Sequence, residues 1–89
     1  MAQPIMGKRV RTLRREHDKS QAMLAAECGV HFMTIWRLEK GLAPYVNTAL
    51  LEKLCEIFDV SADYLLGRSN RRREFDPEEA EELMTTPHL

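Results

Sequence analysis

The side chains able to do acid–base, nucleophilic or metal chemistry are few in this chain of 89 residues. The histidines are His17, His31 and His88, and the cysteines are Cys28 and Cys55. No CxxC spacing and no nearby histidine pair gathers them into a zinc site. Both cysteines fall inside helical patterns, where the role of a small buried apolar residue suits them and a disulfide has little support. There is no Gly-rich phosphate loop and no room for a deep cleft. Catalysis is therefore not expected, and neither is a metal or another cofactor. What remains is charge. The net charge is −1, but residues 1–40 carry 8 Lys/Arg against 4 Asp/Glu, a local +4, while residues 41–67 sum to −3 and residues 68–89 to −2. Positive charge gathered in the first half suits a polyanionic partner, although basic residues on one helix are also what a solvated face looks like.

The elements that carry this charge centre on Ser20 to Gly41, SQAMLAAECGVHFMTIWRLEKG. Ser20 is a good N-cap for a helix from Gln21 to Cys28, because its hydroxyl can accept from an unpaired amide of the first turn. Gly29 ends that helix, since glycine takes a left-handed backbone without a Cβ clash. A second helix then runs from about Phe32 to Lys40 and stops at Gly41. Two helices across a short Gly-containing turn make a helix-turn-helix, whose second helix enters the DNA major groove.

With 44% hydrophobic and 30% charged residues, the chain can fold as one small domain with a modest core. No apolar run spans a membrane and no signal peptide is evident, so a cytoplasmic protein is expected. Met1 to Pro4 reads as a loose end. Ile5, Met6, Val10, Leu13 and His17 recur at helical spacing and define helix one, with Lys8, Arg9, Arg11 and Arg15 between them. In helix two, Met23, Leu24 and Cys28 face inward, and Ala25 and Ala26 allow close approach of a neighbour. Ile35 and Leu38 form the core side of helix three. A loop with Pro44 follows. Asn47 then caps a helix from Thr48 to Phe58, and Ser61 caps a short fifth helix from Ala62 to Leu66, ended by Gly67. No stretch alternates long enough to make a strand. Residues 68–75, RSNRRREF, read as a polar, basic linker. Asp76-Pro77-Glu78-Glu79 is a capped start for a short helix to about Met84, which must dock on the core, meet a second subunit or stay frayed. Thr85 to Leu89 are expected to be disordered.

From Val10 to Gly67 the chain resembles the helix-turn-helix DNA-binding domains of phage repressors and Cro, the broad family of xenobiotic-response-element-like regulators. The residues that carry the likeness are VRTLRRE, SQAMLA with CGV through the turn, TIWRLEKG, and LLEKLCEIFDVSADYLLG. The resemblance implies an all-α, five-helix, lambda-repressor-like domain over residues 5–67, with residues 68–89 as linker and tail. It assigns base reading to Phe32, Met33 and Arg37. Arg37 can donate twice to guanine, whereas the two apolar side chains would have to recognise thymine methyl groups or shape. It assigns phosphate contacts to Gln21 at a helix N-terminus and to Lys40 and Asn47 after helix three, and where this chain departs from the family pattern His31 and Trp36 are further phosphate candidates. Arg14 and Glu39 match positions that form a structural ion pair. Arg9 and Arg11 add attraction at a distance. His31 stands where Ser or Thr usually caps and is read as a weak cap. Trp36 stays open between outer core and DNA backbone.

These implications describe a sequence-specific regulator of transcription, a repressor that binds double-stranded DNA at a palindromic operator. A homodimer through helix five and the tail is expected, because one helix reads few base pairs. The alternative is an antitoxin-type autoregulator whose residues 68–89 bind a protein partner.

Overall fold

The structure is a computed structural model that describes residues 4–43 and 46–73. Within them the chain forms five helices: α1 (Pro4–Glu16), α2 (Gln21–Cys28), α3 (Phe32–Glu39), α4 (Thr48–Phe58) and α5 (Ala62–Leu65). No strand occurs among the described residues. The expectations for residues 1–3, Pro44, Tyr45 and the tail from Glu74 to Leu89 lie outside the described residues. Pro4, expected in a loose end, is instead the first residue of α1, where a missing N–H costs nothing.

Local chemistry sets the helix ends. Ser20, Asn47 and Ser61 each accept the N–H three residues on, at 3.0, 2.8 and 3.0 Å. All five helices end in a pair of backbone bonds at one left-handed residue: Asp18 after α1, Gly29 after α2, Gly41 after α3, Asp59 after α4 and Gly67 after α5. After α3, for example, Gly41 N–H donates to Leu38 O at 3.1 Å and Leu42 N–H to Arg37 O at 2.8 Å.

Each helix contributes one apolar residue with no exposed surface, namely Val10, Leu24, Ile35, Leu54 and Leu65, and these belong to one core cluster. Helix α1 packs against α3, α4 and α5, while α2 packs against α3 and α4. The α1–α3 crossing depends on Gly7. A Cβ there would sit 2.3 Å from Leu38 O and 3.0 Å from Glu39 O, so only glycine lets the two backbones approach this closely.

Four inward assignments from the sequence need correction. Met23 is 51% exposed, because α2 is short and its core edge is Leu24 and Ala25. Ala26 is exposed as well. Ile5 sits at the rim of α1, and His17 lies beyond the end of that helix, exposed, with its ring 5.2 Å from Phe58.

Residues 68–73, read as a linker, are tied to the helices. Arg9 Nη1 donates to Tyr64 O and, at 2.7 Å, to Ser69 O, and its guanidinium lies 4.2 Å from the Tyr64 ring centroid. Arg72 donates twice to Glu16, both at 2.7 Å, and Arg73 pairs with Asp59. Arg9 is therefore an anchor between the two ends of the domain.

Candidate nucleic-acid interface

Helix α3 is divided cleanly between core and outside. Ile35, Leu38 and Glu39 are buried, while Phe32, Arg37 and Lys40 beside the helix end are exposed, and Met33 and Trp36 are half-buried. Met33 and Arg37 are four residues apart and share one face, opposite the buried edge. The Arg37 guanidinium makes no hydrogen bond or ion pair among the described residues, so all its donors face solvent. Lys40 Nζ lies 6.0 Å from the Trp36 ring centroid. The indole N–H has no hydrogen-bond partner among the described residues.

His31 caps α3 directly: its Nδ1 accepts the Met33 N–H at 3.1 Å. With Nδ1 engaged in the cap, Nε2 is the ring nitrogen left to meet a partner at the helix entrance. Asn47 spends its side-chain oxygen on the α4 cap and keeps its amide hydrogens.

The buried Glu39 carboxylate joins the first three helices. Arg14 Nε donates to its Oε2 at 2.7 Å and Arg14 Nη2 to its Oε1 at 3.0 Å, a two-pronged bond between α1 and α3. Gln21 Nε2 donates to Oε1 at 3.1 Å, and Arg11 Nε lies 3.5 Å from the same oxygen. Arg14 Nη1 also donates to Lys19 O at 2.9 Å. Burial pushes the Glu39 pKa up, but the hydrogen bonds from Arg14 and Gln21, the Arg14 charge and the Arg11 bond outweigh it and hold the carboxyl below its ordinary value. The hydrogen bond to Glu39 raises the Arg14 pKa in turn, against its own burial.

Two roles differ from the sequence assignment. Gln21 spends one amide hydrogen on Glu39, so only its second amide hydrogen and its backbone N–H are left for an anion. Arg11 faces Glu39 and Arg9 faces Tyr64 and Ser69, which makes both of them parts of the scaffold. Gly7 and Arg72 also escape the sequence reading. A glycine inside an amphipathic helix is a usable signal of close packing. The Arg72–Glu16 pair leaves none, because its partners are 56 residues apart. Burial pushes the Cys28 and Cys55 thiols up, which disfavours the nucleophilic thiolate. Among the described residues, no three His, Cys, Asp or Glu side chains are grouped to hold a metal, and no helix is long and apolar enough to cross a membrane.

Residues 5–66 match the family described as the helix-turn-helix domain. The chain belongs to that family, in its Cro and phage-repressor branch. This helix-turn-helix domain is similar to the N-terminal DNA-binding domain of SinR from Bacillus subtilis, with 30% identity, 72% of this chain and 93% of that chain covered, and a TM-score of 0.67. It is similar to SinR, the master regulator for biofilm formation, in a crystal structure in complex with DNA. There the identity is 31%, the coverage 68% of this chain and 97% of that one, and the TM-score 0.63. It is also similar to a chain of the SinR protein/SinI protein complex, at 27% identity over 90% of this chain and 79% of that chain, with a TM-score of 0.66. No curated protein matches the chain.

Proposed function

We propose that this domain is a sequence-specific regulator of transcription that binds double-stranded DNA in the cytoplasm and represses at a palindromic operator. Helix α3 enters the major groove. Arg37, Phe32 and Met33 meet base edges, while Gln21, His31, Trp36, Lys40 and Asn47 hold phosphates. The chain acts as a homodimer through α5 and the tail, with half-sites about 10 bp apart. It binds and does not catalyse.

The observation that carries this reading is the outward edge of α3. An exposed arginine without a partner among the described residues and an exposed phenyl ring both lie on the second helix of a helix-turn-helix whose relative SinR has been solved on DNA. Selection of binding sites from random DNA by the full chain tests it. Arg37→Ala should cost about 1–3 kcal/mol on the selected site and relax one base pair, whereas Gln21→Ala should weaken all sequences alike. Unchanged binding by Arg37→Ala removes α3 as the reader. Light scattering that finds a monomer at micromolar concentration, free and on DNA, removes the dimer.

A second reading gives residues 68–89 a protein partner, as in an antitoxin-type autoregulator. The likeness to the SinR/SinI complex, which extends over 90% of this chain, supports it.

A further inference from the structure

Phe32 is the first residue of α3, and 45% of its surface is exposed next to the exposed His31. A phenyl ring left in water is a surface waiting for an apolar partner. Its position is defined. The His31 ring lies 5.1 Å away, tilted by 35°, and the Met33 N–H bond fixes His31 itself. The ring is carried on a capped helix start, and the first residues of a recognition helix are the ones that meet base edges.

Such a ring has no strong donor or acceptor. Adenine, guanine and cytosine carry no methyl group in the major groove, and covering one of their polar N or O groups with a phenyl ring would strip its water without replacing the hydrogen bond. Thymine alone adds an apolar group, the C5-methyl.

We infer that Phe32 is a methyl reader: it selects, at one position of each half-site, a pyrimidine with a C5-methyl group, thymine in ordinary DNA or 5-methylcytosine where cytosine is methylated. This rests on the reading of α3 as the major-groove helix. Arg37 lies five residues on, about 7.5 Å along the axis. That exceeds one base-pair step of about 3.4 Å, so the two side chains read different base pairs and their effects separate.

The test uses the full chain and the duplex that it selects from random DNA. Each thymine is replaced singly by deoxyuridine, which removes the methyl and leaves every hydrogen-bonding group. At one thymine of each half-site the affinity should fall about fourfold, the ratio expected for one buried methyl-sized group. The penalty should vanish in Phe32→Ala, survive in Arg37→Ala and persist in part in Phe32→Leu. With a C·G pair at that position, 5-methylcytosine should bind more tightly than cytosine. Equal affinity for every uracil duplex on a site that is bound selectively overturns the inference and leaves α3 as the reader, as does a penalty that survives Phe32→Ala. Failure to select any sequence overturns the proposed function first. Thermal melting separates loss of reading from loss of fold, and the uracil scan on the unaltered protein stands whether or not Phe32→Ala folds.

Discussion

Replacing Arg14 by Met removes one side of the charge cluster that holds the first three helices, and the structure sets the size of the loss. The Glu39 side chain has no exposed surface and the Arg14 side chain is 12% exposed. Without Arg14 the carboxylate keeps the Gln21 bond at 3.1 Å and the Arg11 guanidinium at 3.5 Å. Breaking a buried pair from one side costs about 3–5 kcal/mol. Arg11 can move closer, so the lower end, about 3 kcal/mol, is expected. For a domain of this size that lowers the melting temperature by about 12–24 °C. Glu39→Gln should cost less, about 2 kcal/mol, because the stranded charge is then Arg14, which keeps Lys19 O and can turn toward water. Urea unfolding at pH 7 measures both. Acid gives an independent check. The folded carboxyl titrates below its ordinary value of 4.5, so its contribution is complete above that value and is lost as pH falls through the lower folded value. The stability difference between wild type and Glu39→Gln should shrink across that window. A loss under 1 kcal/mol for Arg14→Met, or acid profiles of wild type and Glu39→Gln that run parallel, would show that the cluster does not hold the helices.

Two further predictions concern the backbone. Gly7→Ala should destabilise by about 2–3 kcal/mol in urea despite alanine's higher helix propensity, because the added Cβ would meet Leu38 O at 2.3 Å; a rise in stability would mean that α1 and α3 do not cross as closely as described. Asp18→Gly should stabilise by about 0.5–1 kcal/mol, since Asp18 holds φ 53° where a Cβ is strained. Melting curves measure the gain, and a lower melting temperature would refute it.

What the sequence makes legible is what neighbours in the chain decide. Ser20, Asn47 and Ser61 cap, and Gly29 and Gly41 end helices, through bonds that span a few residues, so the caps and the full extent of α4 from Thr48 to Phe58 can be read directly. The turn between α2 and α3 follows from the same local rules. Long-range contacts behave differently. Arg9 looks like one more solvated cation on an amphipathic helix, yet its three hydrogen bonds reach 55 to 61 residues along the chain. Periodicity places Met23 inward because it counts apolar residues, but an eight-residue helix crossing two neighbours buries only Leu24 and Ala25. On the interface side, Phe32, Met33 and Arg37 come from the resemblance. The Gln21 bond to Glu39 needs coordinates, because a glutamine amide at a helix start suits an anion and a buried carboxylate equally well.

That bond separates two properties of the interface. Ile35 and Leu38 attach α3 to the core through apolar contact, which is non-directional. Glu39 sits on the same helix and is held by directional bonds from α1 and α2, so it sets how α3 lies relative to the start of α2. Gln21 belongs to both settings: one amide hydrogen holds the scaffold, and the other remains for a phosphate. Phe32 and Arg37 touch neither. On the proposed reading of α3, disturbing Glu39 is expected to weaken binding to all sequences alike, while the preference among bases stays with Phe32 and Arg37.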